Sequence, residues 1–524
     1  MTSRAERIAA LGTTRFDVLV IGGGITGSGI ARDAALRGLS VALVEKDDFA
    51  SGTSSRSSRL IHGGVRYLEH GRLHLVFESS AERRRLLRLA PHLVRPLPFT
   101  WPVYAGARIP RWKLEAGLIL YDTLALFRNV GRHRPLSRDG VLEREPALRA
   151  DQLLGGAQYF DAATNDARLT LANAIGADVA GAVVVNHAAV VELRSENGRV
   201  VGAVVEDTVG RRRVDVTAAV VVNAIGPWTD AVRGSKGAHV AVPRDRVGNR
   251  NALTLLSPQD GRVLFALPAG PHAIIGTTDT YTPSSPDDVH ASNDDVQYLL
   301  ASANTFFPSA ALTPNDVVSA WAGIRPLLPA AGATPGAASR EHAITTDDRG
   351  VITITGGKLT TYRVVAHDAV NAVVARLRRP STRDRTASSP LPGGEFSSLD
   401  ALIGDVARAT NDLALAAHLA KAYGTRWPLV WNEITQPGGN TEVHEGLPYT
   451  VGELRYGALN EMACTLADLL IRRTHVAFET RDHGAAAAER AAAAVAPLLG
   501  WDASAQRAAI AAYAAEVERT FVIV

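Results

Sequence analysis

A single cysteine, Cys464, stands among the 524 residues. That excludes an intrachain disulfide framework and fits a reducing compartment. The residue sits in an apolar helical pattern, so a buried, inert thiol is expected rather than a reactive one. Charge of one sign is also scarce, with a formal net charge of only +3, and no nucleic-acid partner follows from it. No run reaches the roughly twenty apolar residues of a membrane-spanning helix. Residues 1–15 lack the apolar centre of a secretory signal and lead straight into a strand. The expected location is cytoplasmic, at most against the inner face of the cell membrane. No internal repeat is apparent. The remaining balance, 46% hydrophobic and 21% charged, is that of a globular protein, and the length suggests two to four domains.

The stretch from Phe16 to Arg32 organises the rest. Val18 to Ile21 is a β-branched run suited to a strand buried on both faces, Gly22 to Gly24 breaks it, and Ile25 to Leu36 has helical apolar spacing. In Gly22-x-Gly24-x-x-Gly27 the first glycine permits a tight turn, the second lets backbone approach a pyrophosphate, and the third lets helix and strand pack closely. The helix N-terminus then presents unpaired N–H groups to phosphate. Glu45, eighteen residues past Gly27, would accept hydrogen bonds from an adenosine ribose, which favours FAD or NAD over NADP. A purely structural glycine turn is the alternative.

From Phe49 to Leu68 a run of hydroxylated residues precedes Gly63-Gly64, with the anchors Leu60, Ile61, Tyr67 and Leu68. A flexible linker rarely carries such anchors, so a backbone-lined loop against a flat ligand is the better reading. The fingerprint, Glu45, Thr53-Ser-Ser-Arg-Ser-Ser-Arg-Leu-Ile-His-Gly-Gly-Val-Arg-Tyr-Leu-Glu69 and Ala90-Pro-His-Leu93 together resemble the FAD-dependent glycerol-3-phosphate dehydrogenases. The resemblance implies an α/β protein: a glutathione-reductase-type Rossmann FAD domain, an inserted α+β substrate or cap domain, and a mainly helical C-terminal domain. On that plan residues 1–379 hold the FAD domain with cap segments at approximately 79–158 and 235–350, 380–398 form a linker, and 399–524 are helical. It also implies that Thr53, Ser54, Ser55, Ser58, His62 and Gly63 line the flavin while Arg66 and Tyr67 bind the substrate phosphate. Guanidinium suits phosphate because its planar fork makes paired, charge-assisted bonds. A surface ion pair is the alternative for Arg66.

Further along, Ala81 to Ala90 reads as a helix with a basic face ended by Pro91. Leu114 to Phe127 is apolar with flanking cations: either it lies on an anionic membrane surface or it is an ordinary core helix. The resemblance favours membrane attachment, since the family commonly passes electrons to membrane quinones. Ala182 to Leu193 should be a strand beside the adenine, and Gly210 to Arg213 a hairpin turn. The strand from Ala218 ends at Gly226-Pro-Trp228, and the resemblance sets Gly226 and Trp228 against the cofactor. Ser235 to Val240 resembles a substrate-domain signature that puts His239 beside the flavin, although a lone histidine is more often structural. The connection from Asp230 to Ser235 is shorter than is usual in the family. Asp279 is expected to be structural. Arg325 and Arg340 fall in two further family motifs and, with Arg66, suggest one anion pocket.

Val351 to Arg363 reads as a strand, two glycines and a helix start with threonine caps. That N-terminus, with Gly357, Lys358, Leu359 and Thr360, would stabilise negative charge at the flavin's pyrimidine edge. Pro380 to Phe396 has linker composition, and Ala485 to Ala496 reads as a solvent-facing helix. The expected reaction is oxidation of sn-glycerol 3-phosphate to dihydroxyacetone phosphate. Hydride would pass to flavin N5, and electrons onward to a membrane quinone. His239 is the expected base, Arg325 the stabiliser of the alkoxide, and Arg66, Tyr67 and Arg340 the phosphate ligands. No metal is expected, and a homodimer is compatible with the family. The alternatives are an oxygen-using glycerol-3-phosphate oxidase, an amine or amino-acid oxidase, and a non-catalytic flavin-binding sensor.

Overall fold

The computed structural model describes residues 2–126, 129–229, 232–327, 341–380 and 383–524; of Arg66, His70 and Arg233 it describes the backbone alone. Val18, Leu19 and Val20 have no exposed surface, because the strand Arg15–Ile21 runs through the middle of a sheet covered on both faces. Its neighbours in order are His342–Thr346, Ile352–Gly356, Arg212–Asn223, Arg15–Ile21, Val41–Val44 and Val183–Val185. All these pairings are parallel except that of His342–Thr346 at the edge. Helices Ile25–Leu36, Asp166–Val179 and Tyr362–Arg376 share one core with Val18 and Val20. On the other face, helix Arg4–Thr13 and the meander Ala188–Glu196, Arg199–Asp207, Arg212–Asn223 pack against Leu19. The strand expected from Ala182 to Leu193 is therefore two strands, broken where His187 takes a positive φ of 49°. This sheet leaves its ligand crevice at the carboxyl ends of the parallel strands.

A second, ten-stranded sheet is mainly antiparallel, in the order Thr280–Tyr281, Arg233–Pro243, His272–Gly276, Val263–Ala269, Ala252–Leu256, Val94–Tyr104, Leu153–Thr164 and Leu60–Ile61. Ser319–Leu327 joins it by pairing with Arg233–Pro243, and Arg134–Leu136 by pairing with Leu153–Thr164. The cap boundaries accordingly differ from expectation. Leu60–Ile61 already belongs to this sheet, Leu153–Thr164 carries it past residue 158, and His342–Thr346 belongs to the dinucleotide sheet. The short connection leads directly into Arg233–Pro243, which pairs with Ser319–Leu327 from its first residue; Asp230 and Ala231 lie outside the described residues.

Helix Leu73–Leu89 is longer than the expected segment, and its basic face is partly an interior one: Arg83 is buried against Asp161, and Glu82 pairs with Arg363 at 2.7 Å. Residues 383–398 carry no helix or strand but are packed down, with Leu391 fully buried and its N–H on Leu89 O at 2.8 Å. The C-terminal part is helical from Leu399–Thr410 to Ala503–Phe521. Its alanine-rich helix Ala485–Leu499 corrects the solvent-facing expectation, since Ala487, Ala488, Ala491 and Ala492 are buried in the core shared with Leu454 and Leu469. Alanine on that face lets neighbouring backbones approach closely. Cys464 departs from the expected buried helical position: it lies outside any helix, half-buried, with the Arg4 guanidinium 3.7 Å from its sulfur, though burial still pushes its pKa up to about 12. No helix among the described residues is long and apolar enough to cross a membrane.

Candidate functional site

The crevice of the dinucleotide sheet holds a cavity of about 470 Å³ bounded by Gly22 and Gly24, Glu45, the serine loop, Gly226 to Trp228, His239 and Gly356 to Thr360. Each glycine of the fingerprint has a separate cause. Gly22 takes φ +107°, and a Cβ there would lie 2.7 Å from Ala224 O; a Cβ on Gly27 would lie 1.9 Å from Gly22 O. Gly24 meets nothing closer than Ser54 Oγ at 3.4 Å and forms part of the cavity wall, so its bare backbone leaves room for a ligand rather than for the protein. Glu45 accepts the Gly23 N–H at 2.5 Å and the Asp47 N–H at 3.0 Å. Its carboxylate is thus fixed by the turn it adjoins, while burial raises its pKa. A glycine turn for phosphates, an anchored carboxylate for a ribose and apolar Ala188 and Val190 beside it fit an adenine dinucleotide.

At the far end of the cavity the serine loop is tied down residue by residue. Thr53 Oγ1 donates to Ile324 O at 2.7 Å, Ser54 Oγ accepts Ile25 N–H at 3.0 Å, and Ser58 Oγ meets His239 Nε2 at 2.8 Å. Thr360 Oγ1 accepts the His62 N–H at 3.2 Å and donates to His62 O at 3.3 Å. That use corrects the expected threonine caps. The helix Tyr362–Arg376 starts through a 3-10 turn, Leu359–Thr361, with no side-chain cap. Three expected cofactor residues do not reach the wall: Gly27 packs under the turn, Ser55 is buried with its hydroxyl towards Gly52 O, and Gly63 faces Asp161. Lys358 does line the cavity, but its ammonium donates to Ser79 Oγ and lies 4.7 Å above the Tyr67 ring.

A smaller cavity of about 140 Å³ adjoins the first, and Ser58, Leu60, His62, Phe265 and Arg325 line both. Its walls are aromatic, from Tyr67, Phe99, Trp101, Tyr159 and Phe265. Its polar groups include Arg325, Arg262, Asp279, Asp161, Thr254 and Thr277, with Ser58 and His62 shared with the large cavity. Arg325 is fixed from two sides, donating to Asp279 Oδ1 at 3.1 Å and to Thr277 Oγ1 at 2.8 Å. Asp279 also accepts from Ser235 Oγ at 2.5 Å, and its carbonyl holds Arg262 at 2.9 Å. Asp279 is therefore part of the small cavity's wall and not only of its frame. Arg262, missed in the sequence, enters because strand Val263–Ala269 places its start at the cavity; no local motif marks it.

The expected site residues are brought together unevenly. His62, Tyr67 and Arg325 meet at the small cavity. His239 lines only the large one, stacked on Trp321, and burial with the nearby charges of Arg325 and Arg59 lowers its pKa to about 3. Arg340 and the side chain of Arg66 lie outside the described residues.

Residues 17–363 match the profile of the FAD dependent oxidoreductase family, and residues 384–506 that of the C-terminal domain of alpha-glycerophosphate oxidase. The chain is 40% identical to a glycerol-3-phosphate dehydrogenase of Mycobacterium leprae, over 98% of this chain and 90% of that protein. It is 38% identical to the mitochondrial enzyme of Homo sapiens, over 95% of this chain and 72% of that protein. A solved glycerol-3-phosphate dehydrogenase of Bacillus halodurans, complexed with FAD, superposes with a TM-score of 0.82 at 33% identity, covering 99% of this chain and 97% of that one. With a dinucleotide crevice whose glycines and carboxylate are built for the same cofactor, the chain belongs to the FAD-dependent glycerol-3-phosphate dehydrogenase family.

Proposed function

We propose that this chain oxidises sn-glycerol 3-phosphate to dihydroxyacetone phosphate and passes the electrons to a membrane quinone. The observation that carries the reading is the small aromatic-walled cavity opening from the FAD cavity, which holds Arg262 and Asp279, with His62 and Arg325 in the wall of both. FAD bound in the larger cavity supplies the hydride acceptor. The chain's own residues do the rest. Arg325, held by Asp279 and Thr277, keeps its charge at any working pH and stabilises the oxygen that becomes anionic as the C2 hydroxyl loses its proton. Arg262 adds a second cation to the same cavity, with Arg66 and Arg340 as further phosphate ligands and Tyr67 as wall and donor. Remote binding of the phosphate then orients C2.

The base expected at His239 is better placed at His62. An imidazole with a pKa near 3 is a weak proton acceptor, and His239 does not line the small cavity, whereas His62 does. His239 then serves the cofactor wall with Ser58.

The quinone reading draws on helix Arg111–Leu124. Its inner stripe, Leu114, Leu118 and Tyr121, is core, while Trp112 (72% exposed), Ile119 (50%) and Leu120 (39%) face outward. Both readings of the apolar segment thus have a face of their own: one packs, and the other is available to a lipid surface with Arg111 and Lys113 at the headgroups. Oxygen is the rival acceptor, favoured by the C-terminal match to an oxidase domain. Anaerobic addition of sn-glycerol 3-phosphate to the yellow protein should bleach the flavin bands promptly. Colour that persists would remove the substrate assignment; colour that returns at once in air would favour oxygen over quinone.

A further inference from the structure

Two buried carboxylates from one stretch, Asp161 and Asp166, hold the two ends of the loop that separates the cavities. Asp161, at 3% exposure in strand Leu153–Thr164, gathers three donors on one oxygen: the Gly63 N–H at 2.9 Å, the Tyr121 hydroxyl at 2.7 Å and the Arg83 guanidinium. Gly63 is pressed onto this cluster, since a Cβ there would lie 2.1 Å from Tyr121 Oη. Asp166, fully buried at the start of helix Asp166–Val179, accepts at Oδ2 the Ser57 N–H at 3.1 Å and the Ser57 hydroxyl at 2.6 Å.

What lies at each end differs. Ser57 lines the FAD cavity alone, while Ser58, which holds His239, lines both. Past Gly63 the chain turns through Gly64 to Tyr67, in the small cavity. A buried carboxylate is expensive unless hydrogen-bonded, and each of these satisfies part of that need with a backbone N–H of the loop, Gly63 for Asp161 and Ser57 for Asp166.

We propose that Asp161, itself in the wall of the small cavity, and Asp166 are positioning residues with divided duties: Asp161 fixes the substrate end of the loop, Gly63 to Tyr67, and Asp166 fixes the cofactor end at Ser57. The first half rests on the small cavity being the glycerol-phosphate site; the second needs only FAD.

The test uses the holoenzyme and two readouts. One is the rate of flavin release on dilution, followed by flavin fluorescence; the other is the half-bleaching concentration, the substrate concentration at which the flavin bleaches anaerobically at half its maximal rate. Tyr121→Phe should raise the half-bleaching concentration about threefold, as befits one lost bond, and Asp161→Asn, which also uncharges the partner of buried Arg83, about tenfold, both with flavin release within about twofold of wild type. Asp166→Asn and Ser57→Ala should do the reverse, speeding flavin release about tenfold and threefold with half-bleaching nearly unchanged. Tyr121→Phe and Ser57→Ala leave both carboxylates in place, so they decide the matter where an Asn variant does not fold. Both readouts moving together, or neither moving, overturns the division. A wild-type protein that releases FAD but never bleaches overturns the substrate half together with the function it rests on, and leaves the Asp166 half to be judged on flavin release.

Discussion

His239 and Trp321 face each other across adjacent antiparallel strands, with ring centroids 5.5 Å apart and planes 12° from parallel. Burial, with the charges of Arg325 and Arg59 nearby, keeps the imidazole neutral, and stability should record it. The folded pKa is lowered from 6.5 to about 3, so between those values the unfolded chain binds the extra proton. Stability is full above pH 6.5 and is lost as pH falls towards 3, by about 3 kcal/mol at pH 4 for this group. His239→Gln should flatten the fall in Tm between pH 7 and pH 4. Because His92 is held at about 3 for the same reason of burial, part of the slope should remain. An unchanged slope would mean that His239 is not buried neutral.

Gly27→Ala should yield a protein without bound FAD. Its methyl would lie 1.9 Å from Gly22 O, in backbone that cannot yield without opening the phosphate turn. Absorbance at the flavin bands after purification is the measurement, and a fully yellow variant would refute the geometry.

Ile119→Glu with Leu120→Glu should leave bleaching by sn-glycerol 3-phosphate intact while abolishing co-sedimentation with anionic vesicles. Both side chains are outward and clear of the cavities, so a loss of bleaching would contradict their placement. Retained vesicle binding would move the docking surface elsewhere.

Asp48→Ala should lower stability by about 3 to 5 kcal/mol, the scale for removing one partner of a buried pair. Asp48 accepts from Arg472 Nε at 2.7 Å, Arg473 Nη2 at 3.0 Å and Asn186 Nδ2 at 2.9 Å, all interior. Denaturant unfolding of the holoenzyme is the check; a loss under about 1 kcal/mol, the range of an exposed pair, would place this cluster in water.

The sequence carried what local spacing can carry. Gly22, Gly27 and Glu45 were legible because turn, helix and second strand follow one another within a few dozen residues, each constraining the next. The serine loop was legible as a wall but not as an arrangement. Which of its residues faces the cavity depends on Asp166, Asp161 and Thr360, which come from 109, 98 and 298 residues away. Arg262 and the cavity role of Asp279 were hidden for a related reason, since both arrive through ladder register in the second sheet. His239 was found, yet its burial beside Arg325 and Arg59, and hence its protonation, could not be. The alanine helix misled because alanine propensity reports helix and says nothing of the face that packs.

The ion pairs of Asp48 also bear on how the chain is made. Its partners Arg472 and Arg473 follow 424 and 425 residues later. During vectorial synthesis the carboxylate beside the nucleotide turn therefore has Asn186 but no cation as a side-chain partner until residues 472 and 473 emerge. Domains otherwise tend to fold as they emerge, amino-terminal first, and contacts of such sequence separation form slowly. The dinucleotide unit is thereby tied to the C-terminal region by interior ion pairs, and without Arg472 and Arg473 the Asp48 carboxylate would stay buried beside no cation.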